Sequence, residues 1–124
     1  MKKNSNNSPQ DPQVTRPGIS GEFLSKAGVR WITDTEAHAL VGLSQSGLAI
    51  PYFDLEENPV EDGGAPFIVV RLDHPTRGQK YHQRKGTEAH IYLPPGLGEL
   101  MGDAAELIIV EGEFKAMSLV QRGI

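Results

Sequence analysis

The stretch that decides the fold lies at the end of the sequence and reads Leu107-Ile-Ile-Val-Glu-Gly-Glu-Phe-Lys-Ala-Met-Ser-Leu-Val-Gln-Arg-Gly-Ile124. The continuous apolar run at 107–110 is typical of a strand that is buried on both faces. From 113 to 122 the apolar side chains recur at helical spacing, and Gly123 can end the helix. A buried strand that leads directly into a helix predicts the first half of a parallel β-α-β unit.

Glu111 and Gly112 connect the predicted strand to the predicted helix. Side chains at the carboxyl end of a parallel strand project into the crevice where α/β folds bind ligands. Glu111 is therefore a candidate for holding a divalent cation or for acid–base chemistry, and Gly112 allows a tight turn into a helix whose amino end favours anions. The competing interpretation is that Glu111 only stabilises the first helical turn. One carboxylate is in any case too few for a complete magnesium site.

Length and composition exclude several classes of protein. The 124 residues allow one domain, and residues 1–18 contain almost nothing apolar, so we expect a disordered tail followed by a domain at 19–124. No cysteine is present, which excludes disulfides and thiolate metal sites. No apolar run approaches the roughly 20 residues of a membrane span, and the N-terminus lacks the apolar segment of a secretory signal. We therefore expect a soluble cytoplasmic protein.

The charge of the chain is unevenly distributed. A net charge of −4 argues against strong autonomous binding of nucleic acid. Bases nevertheless cluster between residues 71 and 85 against the single acid Asp73; they are Arg71, Arg77, Lys80, Arg84 and Lys85, with His74 and His82. Because Tyr81 lies among them, the stretch could follow phosphates while a base stacks on the ring. The alternative is a solvated loop of ordinary basic residues.

The beginning of the folded part predicts two short helices. Ser20 can cap a helix that Gly28 ends, and residues 33–36 form a capping box for a second helix that Gly42 ends. Residues 29–32 read as a brief extended connection between these helices. Trp31 in this connection is expected to anchor the core.

The middle of the chain predicts a small antiparallel sheet. Residues 47–54 and 67–73 read as strands, separated by a long polar loop at 56–66. We interpret the basic stretch that follows as a loop and residues 90–93 as a third strand. The predicted fold class is therefore α+β: two short helices, a small antiparallel sheet and a terminal β-α unit.

These segments together resemble the Toprim fold of bacterial-type primases and topoisomerases. The terminal stretch resembles the first Toprim motif, and the earlier segments follow the order of the primase catalytic subdomain; they are 47–54, 67–73, the pair Lys80-Tyr81 and 91–95. The chain is most similar to the uncharacterised domain associated with Toprim in phage and plasmid replication proteins. In that group Glu-Gly-Glu-x-Lys-Ala, as at 111–116 here, replaces the Glu-Gly-x-x-Asp of replicative primases.

The resemblance implies roles for individual residues. Glu111 matches the Toprim glutamate, which has metal-linked or acid–base duty in the family, while Arg71 and Lys80 match basic positions that face phosphates. Lys115 stands where replicative primases have an aspartate, which makes the site less acidic. The second Toprim motif, an Asp-x-Asp that completes the metal site, is not found within the 124 residues. We therefore expect a domain truncated before that motif, Mg²⁺ only where a complete Toprim site is present, and no catalysis by this chain alone.

The sequence is consistent with three hypotheses about function. The first is a primase-like nucleic-acid-binding module of a phage or plasmid replication protein, whose partners are single-stranded nucleic acid or other replication proteins. The second is a stand-alone mobile-element protein that binds and inhibits a host defence protein, in an anti-CRISPR or similar role. The third is a piece of a longer protein cut at an arbitrary boundary. None of them involves a membrane.

Overall fold

The computed structural model describes residues 14–76, 78–101 and 112–123. In these ranges the chain forms four helices and six strands in a mixed α+β arrangement. In chain order they are α1 (Gly21–Lys26), β1 (Arg30–Ile32), α2 (Asp34–Val41), β2 (Gly47–Pro51), β3 (Glu61–Asp62), β4 (Ala65–Pro66), β5 (Ile68–Thr76), β6 (Gln79–Gln83), α3 (Leu97–Met101) and α4 (Glu113–Gln121). The predicted strand at 107–110, Glu111 and most of the predicted tail (1–13) lie outside the described residues.

The last part of the predicted tail contacts the folded core. Val14 packs against it, and the guanidinium carbon of Arg16 lies 4.5 Å from the ring centroid of Phe114 in α4. Arg16 also forms a short bridge with Ile19. Val14 and Arg16, which the sequence analysis placed in the tail, therefore lie against the folded core.

The predicted limits of the first two helices are confirmed by their caps. The side chain of Ser20 accepts a hydrogen bond from the backbone amide of Phe23 in the first turn of α1. Gly28 follows that helix with a left-handed backbone conformation. Thr33 and Glu36 form the complete capping box of α2, and Gly42 is its left-handed C-cap. These signals operate within one turn of helix, which is why they can be read directly from sequence.

The main sheet has four strands in the order β1-β2-β5-β6, with every neighbouring pair antiparallel. β3 and β4 form a separate two-stranded ribbon inside the loop predicted at 56–66. The residues at 29–32, predicted as a connection, supply the edge strand β1. None of the helices in the described ranges is long and apolar enough to cross a membrane.

Two predictions about the middle of the chain are wrong. The basic stretch is not a loop, because residues 79–83 pair with β5 as strand β6. Residues 90–93 form no strand: His90 and Tyr92 instead place their rings against Phe67 and Tyr52. The two prolines at 94–95 lack amide donors, which further disfavours pairing there.

Strand alternation gives the sheet two apolar faces. One face, which we call the α1/α4 face, is packed in a single cluster with α1 and α4; its members include Leu24, Leu48, Ile50, Val69, Phe114 and Met117. The other, the α2 face, is covered by α2; its members are Ile32, Ala37, Val41, Ala49, Val70 and Leu72. The predicted apolar stripe of α4 is confirmed, since Phe114 and Met117 are buried.

Candidate functional site

Gly112 marks the start of the terminal helix. Its backbone has φ +92° and ψ 138°, a combination that is practically restricted to glycine, and α4 follows it directly. The predicted helix from 113 to 122 is confirmed, with Arg122 as the C-cap. Glu111 lies outside the described residues, so its role in metal binding or acid–base chemistry stays a prediction.

Arg71 and Tyr81 are brought together on the α1/α4 face. They lie directly opposite each other in the β5–β6 pair, and the guanidinium carbon of Arg71 is 5.4 Å from the centroid of the Tyr81 ring. Arg71 Nη1 donates to the carbonyl oxygen of Leu72 at 3.0 Å. Its Nε atom is buried and has no hydrogen-bond partner among the described residues. The guanidinium is thus oriented by the ring and by one carbonyl, with hydrogen-bonding capacity left over.

The other bases of this stretch are not part of that pair. Lys80 is exposed and directly precedes Tyr81 in β6, so strand alternation directs the two side chains to opposite faces. Arg84 donates from Nε and Nη2 to the carbonyl oxygen of Leu40, and the His82 ring lies 3.2 Å from the carbonyl oxygen of Val41. These two side chains therefore provide polar partners for backbone carbonyl groups at the C-terminal end of α2.

Trp31 extends the row that contains Arg71 and Tyr81. The register places Trp31 opposite Leu48 and Leu48 opposite Arg71, so the four side chains cross the sheet on one face. Trp31 packs partly against the core, as predicted, and its Nε1 donates to Asp73 Oδ2 at 2.7 Å. We call Trp31, Leu48, Arg71 and Tyr81 the cross-sheet row. It has a partly exposed aromatic ring at each end and a guanidinium beside one of them.

A buried carboxylate that the sequence analysis did not consider lies at the first position of α4. Glu113 is 7% exposed, and its Oε2 accepts a hydrogen bond from the Tyr52 hydroxyl at 2.6 Å. Burial, together with this hydrogen bond and the charge of Glu113, raises the pKa of Tyr52 above its ordinary value. Burial and the same charge raise the pKa of Tyr92, whose ring contacts that of Tyr52 edge-on. No spacing in the sequence indicates this pair, since its members lie 61 positions apart.

The two tyrosines make stability sensitive to alkaline pH. The pKa of each tyrosine is raised in the folded state. Above the ordinary tyrosine pKa of 10, the folded protein therefore keeps hydroxyl protons that the unfolded chain has released. The stabilisation is complete below that pH and decreases as the pH rises above it, by up to about 1.4 kcal/mol per pH unit for each tyrosine. Urea unfolding between pH 8 and about 11 should show this decrease, and the variant Tyr52→Phe/Tyr92→Phe should show a flatter profile. Equal slopes in both proteins would contradict the prediction.

A second polar contact fixes the segment that contains Tyr92. His90 Nε2 lies 2.8 Å from Asp62 Oδ2, and the backbone amide of Glu88 donates to the same oxygen at 3.0 Å. These two contacts lower the pKa of Asp62. The His90 ring also packs on Phe67, with 4.4 Å between the centroids. The segment at 88–92 is therefore held against the α1/α4 face.

Neither metal-site geometry nor known relatives identify the site. The described residues contain no group of three or more His, Asp or Glu side chains that could hold a metal ion. Comparison of the chain with protein-family models, with curated proteins and with solved structures finds no match. The cross-sheet row and the surfaces around it are therefore the features that bear on function.

Proposed function

We propose that this protein is a primase-like nucleic-acid-binding module of a phage or plasmid replication protein that acts in the cytoplasm. The observation that carries the proposal is the pairing of Arg71 with Tyr81 on one face of the sheet, in line with Trp31. A guanidinium beside partly exposed aromatic rings is the combination with which proteins bind single strands. The phosphate is attracted by the charge while a base stacks on a ring.

In this proposal three residues of the cross-sheet row, Arg71, Tyr81 and Trp31, contact the nucleic acid. The guanidinium of Arg71, which lies over the Tyr81 ring, supplies the positive charge that attracts a phosphate. Tyr81 and Trp31 offer ring faces to bases. Lys80 lies on the opposite face of the edge strand β6, so it adds a second phosphate contact to a strand that passes around this edge of the sheet. With a net charge of −4 the affinity is modest, so other replication proteins supply the rest of the binding surface.

The Toprim relation is part of the same proposal. The terminal strand–helix segment would be the first half of a Toprim-like α/β fold, and Glu111 would be its partial metal-linked or acid–base residue. A complete site with Mg²⁺ needs further carboxylates. We therefore propose a binding role for this chain and not catalysis by the chain alone. The glycine conformation at Gly112 is compatible with this arrangement.

The proposal is tested by titrating a fluorescently labelled single-stranded DNA with the protein at several salt concentrations. Wild-type affinity should fall with salt, and Arg71→Ala together with Lys80→Ala should reduce the slope of log K against log salt by about 1.4, or about 0.7 for each phosphate contact that is lost. Tyr81→Leu should weaken binding by about 1–3 kcal/mol with little change in slope, because it removes stacking and no charge.

The matched control is Lys85→Ala, which removes an exposed base of the same stretch that lies outside the cross-sheet row. This variant should bind nearly as well as wild type. Thermal unfolding of each variant separates lost affinity from lost structure. Absence of DNA binding at low salt, or an equal loss in Lys85→Ala, would refute the role of the row.

A second candidate function is favoured by the exposed apolar residues. Among the described side chains, Leu55 and Ile91 are large, apolar and exposed, at 48% and 81%. The acidic net charge, with these side chains available for apolar contact, favours a stand-alone mobile-element protein that inhibits a host defence protein, in an anti-CRISPR or similar role. Failure of the DNA titration combined with tight binding of a protein partner would favour this second candidate.

A further inference from the structure

An open groove lies away from the cross-sheet row, between the last turn of α1, the turn that follows β2 and the segment that leads into α3. Its volume is about 570 Å³, within the roughly 300–1,000 Å³ typical of ligand clefts. Apolar side chains form its walls; they are Phe53, Leu55, Leu93, Pro94, Pro95 and Leu97. Leu55 is 48% exposed, so part of this apolar wall faces solvent.

The rim of the groove is acidic. The charged lining residues are Asp54, Glu57 and Glu99 against Lys26, three carboxylates and one ammonium, which leaves a formal excess of two negative charges. Asp54 is held in place because its Oδ1 accepts the backbone amides of Glu56 and Asn58, both at 2.9 Å. Glu57 and Glu99 are exposed, and within the described ranges neither forms an ion pair.

These two properties restrict what the groove can bind. The apolar walls favour a ligand with apolar side chains, and the carboxylates repel phosphates and attract cations. A nucleic acid therefore does not fit here, although it fits the cross-sheet row. The two surfaces are separate and have opposite charge preferences.

We propose that the groove binds a short segment of a partner protein in which one or two apolar side chains are flanked by lysine or arginine. The apolar side chains would contact Leu55, Leu93 and the prolines, and the basic side chains would pair with Glu57 and Glu99. The prolines and the glycines at 96 and 98 give the groove wall few flexible side chains to immobilise on binding. This interaction goes beyond the nucleic-acid role and does not depend on it.

The experiment is selection of a random heptapeptide display library on the full chain, followed by fluorescence anisotropy with the most enriched peptide. We expect enriched sequences to place leucine or an aromatic residue next to lysine or arginine. Leu55→Ser and the double variant Glu57→Lys/Glu99→Lys should each lower the affinity for the peptide by about tenfold or more. The charge variant changes the formal charge of the lining from −2 to +2, so added salt should no longer weaken peptide binding.

Two control variants match these substitutions outside the groove. Ile91→Ser removes an exposed apolar side chain, and Glu61→Lys reverses an exposed carboxylate. Both should leave peptide affinity unchanged. Leu55→Ser, which changes no charge, should leave the single-stranded DNA titration unchanged, so failure of this proposal is distinguishable from failure of the nucleic-acid role.

Several results would overturn the inference. They are enrichment of acidic peptides, no enrichment at all, or an affinity that the groove variants do not alter while they remain folded by circular dichroism. Concentration-dependent dimerisation that Leu55→Ser abolishes would also overturn it, because the occupant would then be a second copy of the chain.

Discussion

Substitution of Gly47 by alanine is expected to lower the free energy of unfolding by about 3 kcal/mol or more. A Cβ atom at this position would lie 2.3 Å from the carbonyl oxygen of Arg71 and 2.8 Å from Cγ1 of Val70. The first of these atoms belongs to the backbone of β5, so no rotamer change relieves the contact. The β2–β5 pair must separate or shift locally. Urea unfolding followed by circular dichroism measures the loss.

The control for this substitution is Gly98→Ala. Gly98 lies in α3, and a Cβ there would be 3.5 Å from its nearest neighbour, the carbonyl oxygen of Leu55. This is ordinary contact, and alanine is favoured over glycine in a helix by up to about 1 kcal/mol, so stability should be equal or slightly higher. If Gly47→Ala were tolerated as well as Gly98→Ala, the close approach of β2 and β5 at this point would be wrong, and with it the position of Arg71 in the cross-sheet row.

Substitution of Tyr52 by phenylalanine is expected to cost about 2–3 kcal/mol, although it removes a single oxygen atom. The reason is that Glu113, at 7% exposure, would keep its buried carboxylate but lose its donor at 2.6 Å. Removing both polar groups in Tyr52→Phe/Glu113→Leu should recover most of the loss, since an apolar pair leaves nothing unsatisfied. The wild type, the single variants Tyr52→Phe and Glu113→Leu, and the double variant form a double-mutant cycle, in which urea unfolding measures the stability of each protein.

Tyr92→Phe is the matched control for the tyrosine substitution. The Tyr92 ring also contacts Tyr52, but among the described residues its hydroxyl forms no hydrogen bond with Glu113. We expect it to cost within about 0.5 kcal/mol. Equal effects of the two substitutions, or strictly additive effects in the cycle, would show that the Tyr52–Glu113 bond contributes nothing. A positive result would show that this bond holds the start of α4 on the sheet.

The limits of the helices could be predicted from the sequence because the interactions that set them join residues close together in the chain. Ser20 and Thr33 cap helices through hydrogen bonds that reach three residues along the chain, and both caps are confirmed. The helix after Gly112 is confirmed for the same reason, since its apolar stripe and its limits lie within one segment. The α+β class followed from these helices together with the strands predicted at 47–54 and 67–73, where β2 and β5 pair antiparallel.

Strand membership was harder to predict because pairing is not local. Residues 79–83 carry little apolar alternation, and they become a strand because β5 presents unpaired backbone groups alongside them. Residues 90–93 have stronger β-propensity but use their rings to cover Phe67 and Tyr52. In both places the tertiary partner outweighed the local preference.

The sequence by itself determined the helix caps, the terminal helix and Arg71, Lys80 and Tyr81 as candidates for binding. Only the tertiary structure decided which of these lie together: the register places Arg71 against Tyr81 and directs Lys80 to the other face. It alone revealed the Tyr52–Glu113 bond and the acidic groove. The physical reason is that side-chain chemistry belongs to single residues, whereas distance, burial and shared charge arise only when distant segments pack together.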